Sequence, residues 1–215
     1  MSTPTQPNLP HRTSALSAAA ERNKHPILET LRTLLRAQGR ALEIASGTGQ
    51  HVAWFAQHLP GWTWWPTDLR DTYFAELQAH IQASVPESLR DRVAAPRLLD
   101  VQQEPWPLEG ARFDLIYCAN LLHIAPWACC DALMRGAAQH LAPGGQLVTY
   151  GPYLEDDMPT ADSNLDFDAS LRARNPEWGL RRREAVEQEA QAAGLRLAAR
   201  HTMPANNLLL VWQAR

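Results

Sequence analysis

Glu43-Ile44-Ala45-Ser46-Gly47-Thr48-Gly49 is the stretch that decides the reading of this chain. The apolar run Ala41 to Ala45 enters it and the amphipathic stretch Val52 to Leu59 leaves it, so it reads as a strand, a tight turn and a helix opening at about Gln50. Glycines at such a turn take positive φ and let backbone come close to a ligand. Gly-x-Gly alone also fits a turn that holds nothing, so the flanks must decide.

Downstream, short apolar runs alternate with amphipathic stretches: Trp62 to Pro66, Phe74 to Ile81, Arg97 to Leu99, Phe113 to Cys118, Ala128 to His140, and Gln146 to Tyr150 after the turn Pro143-Gly144-Gly145. Strands alternating with crossover helices predict a parallel sheet covered on both faces. At the end, helix Glu184 to Ala193 leads through Gly194 into Leu195 to His201, and a short link from Met203 to Asn207 joins that run to Leu208 to Trp212. A link this short predicts an antiparallel pair. Upstream, Ile27, Leu28, Leu31, Leu34 and Leu35 follow helical spacing between about Ser17 and Gln38, with Gly39 as the stop. Pro26 fits the first turn of that helix and would set it apart from a shorter piece ahead. Residues 1–13 are rich in Pro, Thr and Asn and read as a flexible lead-in to one domain over 14–215. The stretch Tyr153 to Leu180 is long for a connection and reads as a lid or substrate wall.

The 215 residues, 45% hydrophobic and 20% charged, fit one globular α/β domain. No apolar run reaches the roughly 20 residues that cross a bilayer, and the polar start lacks a signal peptide's apolar centre, so a cytoplasmic protein is expected. Cys118, Cys129 and Cys130 form no C-x-x-C pair, which predicts buried thiols and neither a disulfide framework nor a metal site. A net charge of -3 gives no strong nucleic-acid signal. Nothing in the sequence specifies an oligomeric state. Trp62, Trp64 and Trp65 fit core packing or the lining of an adenine pocket better than base stacking. Arg181-Arg182-Arg183 reads as a solvated helix start, and Asn206-Asn207 as a turn.

Three further loops reach the same sheet edge as the glycine turn. Asp68 ends the second strand 19 residues after Gly49, where a carboxylate can accept both ribose hydroxyls of an adenosine cofactor. Asp100 follows the third strand, placed to accept from an adenine amino group while the apolar Val101 packs on the ring. The fourth strand ends in Cys118-Ala119-Asn120-Leu121-Leu122-His123, which puts Asn120 and His123 at that edge. His123 is a candidate general base, and equally a histidine packed beside a ligand.

A parallel sheet closed by a terminal antiparallel hairpin resembles the class I S-adenosylmethionine-dependent methyltransferases, whose Rossmann-like fold has a mostly parallel seven-stranded sheet with helices on both faces. Those enzymes ordinarily carry a third glycine where Ala45 stands. From about Ser17 to Arg215 the chain is similar to a narrower set, the methyltransferase-like 26 group, in Glu21-Arg22-Asn23-Lys24-His25-Pro26-Ile27, in Glu43 to His51, in Asn120 to Ile124 with Pro126-Trp127, in Asn164 with Phe167-Asp168, in Trp178 to Arg181 and in Met203 to Asn207. In that group Ala45-Ser46-Gly47 is the normal form.

The resemblance implies S-adenosyl-L-methionine as cofactor, held by Glu43, Ala45, Ser46, Gly47, Gly49, Asp68, Asp100, Val101 and Asn120. Arg22, Asn23 and Lys24 would fold over its methionine end, where a cation pairs with the carboxylate. A small polar acceptor would enter beneath the Tyr153 to Leu180 stretch, nearest Asn120, His123 and Tyr153. The rival enzyme class is a nicotinamide-dependent oxidoreductase, disfavoured because Val52 stands three beyond Gly49 where glycine or alanine is required. The remaining rival is a cofactor-binding scaffold without transferase activity.

Overall fold

A computed structural model describes residues 16–215; the expected lead-in, residues 1–13, lies outside them. Helix α1 (Ala18–Leu34) starts from Ser17, whose hydroxyl accepts from the Ala20 amide at 3.4 Å. Pro26 lies inside this helix and does not start it. An interior proline removes the bond to the Arg22 carbonyl and costs up to about 3 kcal/mol. The helix runs on because Asn23, Ile27, Leu28 and Leu31 bury one face along its length.

The chain continues as β1 (Gly39–Ile44), α2 (Gln50–His58), β2 (Trp62–Asp68), α3 (Phe74–Ser84), α4 (Glu87–Arg90), β3 (Arg97–Leu98), β4 (Phe113–Ala119), α5 (Ala128–His140), β5 (Leu141–Leu154), α6 (Asp162–Arg174), β6 (Arg181–Arg182), α7 (Arg183–Ala192), β7 (Leu195–Met203) and β8 (Asn207–Ala214). The strands form one sheet in the order β3-β2-β1-β4-β5-β8-β7. β1 to β5 are parallel, and β8 runs antiparallel between β5 and β7. This is the α/β methyltransferase fold, and the order of its strands reverses between β1 and β4, where open α/β sheets bind ligands.

Strand alternation sends side chains into two cores. Ala41, Trp62, Trp64, Leu115, Tyr117 and Val148 pack against α1, α2 and α3, while Leu42, Ile44, Ile116, Cys118, Leu147 and Trp212 pack against α5 and α7. Trp62 and Trp64 are therefore core residues at the amino end of β2, and Trp65 stands on the other face between Arg40 and Arg97. The three cysteines are buried and free, and burial pushes the Cys130 thiol up to about 12. No helix among the described residues is long and apolar enough to cross a membrane.

Two parts of the sequence behave otherwise than their pattern suggests. The stretch from Tyr153 to Leu180 holds a regular helix, α6, of which only Asn164 and Leu171 are buried, while Phe167 and Arg174, at the same three- and four-residue steps, are exposed. An amide, a phenyl, an aliphatic group and a guanidinium share that face, so hydrophobic periodicity is nearly erased. Arg181 and Arg182 form an eighth short strand along the end of β5. The Arg181 guanidinium is half-buried and bonded to backbone. It donates from Nε to the Leu122 carbonyl at 2.9 Å and from Nη2 to the carbonyls of Ala125 and Glu177, each at 2.7 Å.

Candidate active site

The turn after β1 takes left-handed backbone at alternate residues: Ala45 (φ 58°), Gly47 (φ 54°) and Gly49 (φ 77°), the last of which caps α2. A Cβ at Gly49 would stand 2.6 Å from the Leu77 side chain, so packing as well as φ demands glycine there. The turn is fixed to β2 by the Ser46 amide on the Thr67 carbonyl at 2.9 Å and by the Thr67 hydroxyl on the Glu43 carbonyl at 2.7 Å. The Gly47 amide donates to Asp68 Oδ2 at 2.9 Å. That bond leaves Asp68 Oδ1 with one long contact, from the Arg70 amide at 3.4 Å.

Beside Asp68, β3 pairs in parallel through Leu98, and the Leu99 amide donates to the Asp68 carbonyl at 2.8 Å. Asp100 Oδ1 closes a turn on the Gln102 amide at 2.9 Å, and Val101 is buried with its carbonyl on the Trp106 indole. Leu69 and Leu98 are 55% and 54% exposed beside these acids. Together they offer apolar surface beside the carboxylates. Glu43 is buried, and its Oε2 has no hydrogen-bond partner. Burial, with the nearby Asp68 charge adding to it, raises this carboxyl to about 8, so it is protonated at neutral pH. An orphaned buried oxygen under a glycine turn is what a ligand donor would satisfy.

The start of α1 is tied to the first turn of α2. Gln50 Oε1 accepts from the Ser17 amide at 2.5 Å, and its Nε2 donates to the Ser17 carbonyl at 3.2 Å and to Glu21 Oε1 at 2.7 Å. Asn23 Oδ1 lies 2.7 Å from His51 Nε2, and the Tyr117 hydroxyl lies 3.3 Å from His51 Nδ1. Burial holds the His51 pKa at about 4, so the ring is neutral; with Asn23 as acceptor, Nε2 carries the proton. Lys24 meets Glu21 at 2.5 Å and sits over the Trp54 ring. The segment Arg22-Asn23-Lys24 thus divides. Asn23 is spent inside, the Lys24 charge is met by Glu21, and Arg22 is exposed beside the Tyr150 hydroxyl with no carboxylate partner among the described residues.

Across the switch point, Asn120 takes φ 60° and its amide donates to the Tyr150 carbonyl at 2.8 Å. A Cβ on Gly151 would lie 3.3 Å from His123 Nδ1 and 3.8 Å from Asn120 Oδ1, so the bare backbone of β5 is where these two side chains converge. His123 is buried with its ring edge-on to Phe167, centroids 5.6 Å apart, and neither ring nitrogen is hydrogen-bonded to a described residue. Burial, Arg181 and Arg174 hold its pKa at about 4. Tyr153 does not join this pair through its hydroxyl, which donates to Thr149 Oγ1 at 3.0 Å inside the core, where the Trp212 indole also donates. Spacing along β5 put Tyr153 at the right edge, but the buried Thr149 hydroxyl draws its phenol inward.

Sequence reasoning gives no site role to Gln50, Leu69, Leu98, Gly151 or Phe167; it reads Arg181 as a solvated face, and Arg174 with Asp162, Asn164, Asp166 and Arg172 as a polar set suggesting a polar substrate. Leu69 was the most findable, as an apolar residue directly after a ribose-type acid. Gly151 carries no motif, because its role depends on a side chain 28 residues earlier in sequence.

Solved structures share this fold. An O-methyltransferase family protein from Burkholderia thailandensis matches with a TM-score of 0.74 at 20% identity, over 89% of this chain and 56% of that one. An O-methyltransferase family 2 protein from Planctomyces limnophilus in complex with apigenin gives 0.74 at 20% identity, over 93% and 59%. A methyltransferase of calicheamicin biosynthesis in its SAH-bound form gives 0.72 at 15% identity, over 92% and 54%. The chain therefore spans little more than half the length of the solved structures it matches. The model of the family described as "Protein of unknown function (DUF938)" matches residues 14–214, and the chain belongs to that family.

Proposed function

We propose that this chain is an S-adenosyl-L-methionine-dependent methyltransferase, akin to the methyltransferase-like 26 group, acting in the cytoplasm on a small polar acceptor. The observation that carries the reading is the convergence at one carboxyl edge of a left-handed turn over the orphaned Glu43 Oε2, a half-satisfied Asp68 and the Asn120–His123 pair. These groups fit the cofactor. Asp68 Oδ1 is open to ribose hydroxyls, the free Asp100 oxygen to an adenine amino group, the neutral Glu43 carboxyl at Oε2 to a ligand N–H or O–H, and Arg22 to a carboxylate. Leu69 and Leu98 offer apolar surface to a purine.

When bound, the cofactor supplies an electrophilic methyl group. The chain's part is to align the acceptor beside Gly151 and to exclude water under α6. His123, neutral at pH 7, can take a proton at an imidazole nitrogen from the acceptor hydroxyl. The antiparallel β8 between β5 and β7 sets this sheet apart from an all-parallel dinucleotide fold, and the buried Val52 stands where that fold's fingerprint needs a small residue for close helix–strand packing.

Calorimetric titration with S-adenosylhomocysteine, S-adenosylmethionine and oxidised nicotinamide dinucleotide tests this directly. The first two should bind and the third should not; binding of the dinucleotide alone would sink the proposal. Asp68→Ala should weaken S-adenosylhomocysteine by about 1–3 kcal/mol, and unchanged affinity would remove Asp68 from the site. Transfer of labelled methyl to a fraction of a metabolite extract is expected. Cofactor binding without transfer to any fraction would instead favour a scaffold.

A further inference from the structure

The charges around His123 are of one sign. Those whose fields reach its imidazole are Arg181 and Arg174, both cationic. Arg181 is half-buried over the Trp127 ring, satisfied by three carbonyls and by no carboxylate among the described residues. Arg174 donates from Nε to the Ser170 carbonyl at 3.1 Å and lies against Trp178, while neither of its terminal nitrogens is bonded to a described residue. It shares a helix face with Phe167, two turns away on α6, and Phe167 touches His123.

The nearby acids do not balance these charges. Asp168 is taken at both oxygens, by Arg172 Nε at 2.8 Å and by the Leu180 amide at 2.6 Å. Asp162 and Asp166 are on the exposed side of α6. Glu177 is exposed, and its charge reaches Cys129 rather than His123. From β4 and β5 the groups facing the ring, Asn120 and Gly151, are uncharged. A half-buried guanidinium on which the Arg172 charge outweighs that of Asp168, together with the exposed Arg174 whose fork is open, creates a potential that attracts an anion.

We propose that the acceptor is a small organic carboxylate: its charged group sits on the fork of Arg174 within the field of Arg181, its body lies against Phe167, and its hydroxyl points at His123 and Asn120. This rests on the methyltransferase reading. It also assigns selectivity to electrostatics. The bound carboxylate offsets the two guanidiniums, so the imidazole becomes a better proton acceptor when the acid is in place. A neutral analogue of the same shape would leave His123 a poor base.

The test is calorimetry on the chain saturated with S-adenosylhomocysteine, with benzoate and salicylate set against their neutral amides, benzamide and salicylamide, and with inorganic phosphate as a further arm. The acids should bind at least about tenfold more tightly than the amides, with a gap that shrinks as salt rises. Arg174→Gln should abolish the preference and leave S-adenosylhomocysteine affinity unchanged. Arg196→Gln, the same charge change at the opposite end of the sheet, should leave it intact. The His123 imidazole, followed by NMR, should titrate about one pH unit higher in saturating salicylate. Equal binding of acids and amides, no binding of either, or a preference that survives in Arg174→Gln would overturn the proposal. Phosphate binding more tightly than either acid would overturn the carboxylate assignment. Should S-adenosylhomocysteine itself fail to bind, the methyltransferase reading falls, while acid-over-amide preference in the cofactor-free chain still decides the anion site.

Discussion

Ala45 sits at φ 58°, where an L-residue with a Cβ pays roughly 1–2 kcal/mol that glycine does not. Alanine is the smallest side chain that incurs this cost, and the turn tolerates it because Ser46 and Thr67 lock the backbone on the β2 side. Two substitutions separate conformational strain from ligand contact. Ala45→Gly removes the strain but loosens the unfolded chain, so stability should change by no more than about 1 kcal/mol. Ala45→Val places a β-branched residue in the left-handed region and should cost about 2 kcal/mol or more. Urea midpoints compare the two; a valine variant as stable as the parent would mean that the turn is not held at positive φ. Asn120 meets the same demand at φ 60° more cheaply, since its short amide is among the side chains that visit this region readily.

Helix α1 has a poor interior, with Pro26 in its middle, and its first turn depends on the side chain of Gln50. That dependence joins the entry to the domain to the end of the glycine turn, since Gln50 is the first residue of α2 after Gly49. Gln50→Ala removes the partners of the Ser17 backbone and of Glu21, and should cost about 1–2 kcal/mol. Hydrogen exchange should show the loss confined to the amides from Ala18 to Asn23, with those of α5 unchanged. S-adenosylhomocysteine should bind more weakly, because Arg22 is carried by that turn. Uniform faster exchange over the whole chain would refute a local clamp. Pairing within elements was legible where periodicity was strong, as in α2, α5 and the closing hairpin. α6 was obscured because it buries only an amide and one aliphatic side chain, Asn164 and Leu171, and the Arg181 strand because a backbone-carbonyl cage for a guanidinium has no signature in local sequence.

Across the molecule, the alternation of strands and helices and the short link before Asn207 were enough to predict a parallel sheet closed by an antiparallel pair; the reversal of strand order between β1 and β4 is seen only in the structure. Which polar residues at the carboxyl edge face a ligand was not legible, because Asn23 and Tyr153 are turned inward by His51 and Thr149, partners distant in sequence. These inward networks set the acid limit of the fold. His51 and His123 titrate near 4 in the folded chain against 6.5 for an ordinary imidazole, so the unfolded state binds more protons between those values. Stability is then fully present above pH 6.5 and is lost as pH falls towards 4, at up to about 3 kcal/mol for each ring. Glu43 works in the opposite sense. Its folded value of about 8 against 4.5 means the native state holds the extra proton, so stability declines as pH rises from 4.5 to 8. The two effects place the optimum near pH 6–7. Urea unfolding across pH 4.5–8.5 should show both slopes, with the acid limb shallower in His51→Gln and the alkaline limb flattened in Glu43→Gln. An acid limb unchanged in His51→Gln would show that burial does not hold the folded His51 below the ordinary imidazole value; its Nε2 would still donate to Asn23, but Nδ1 of a charged ring could no longer accept from the Tyr117 hydroxyl.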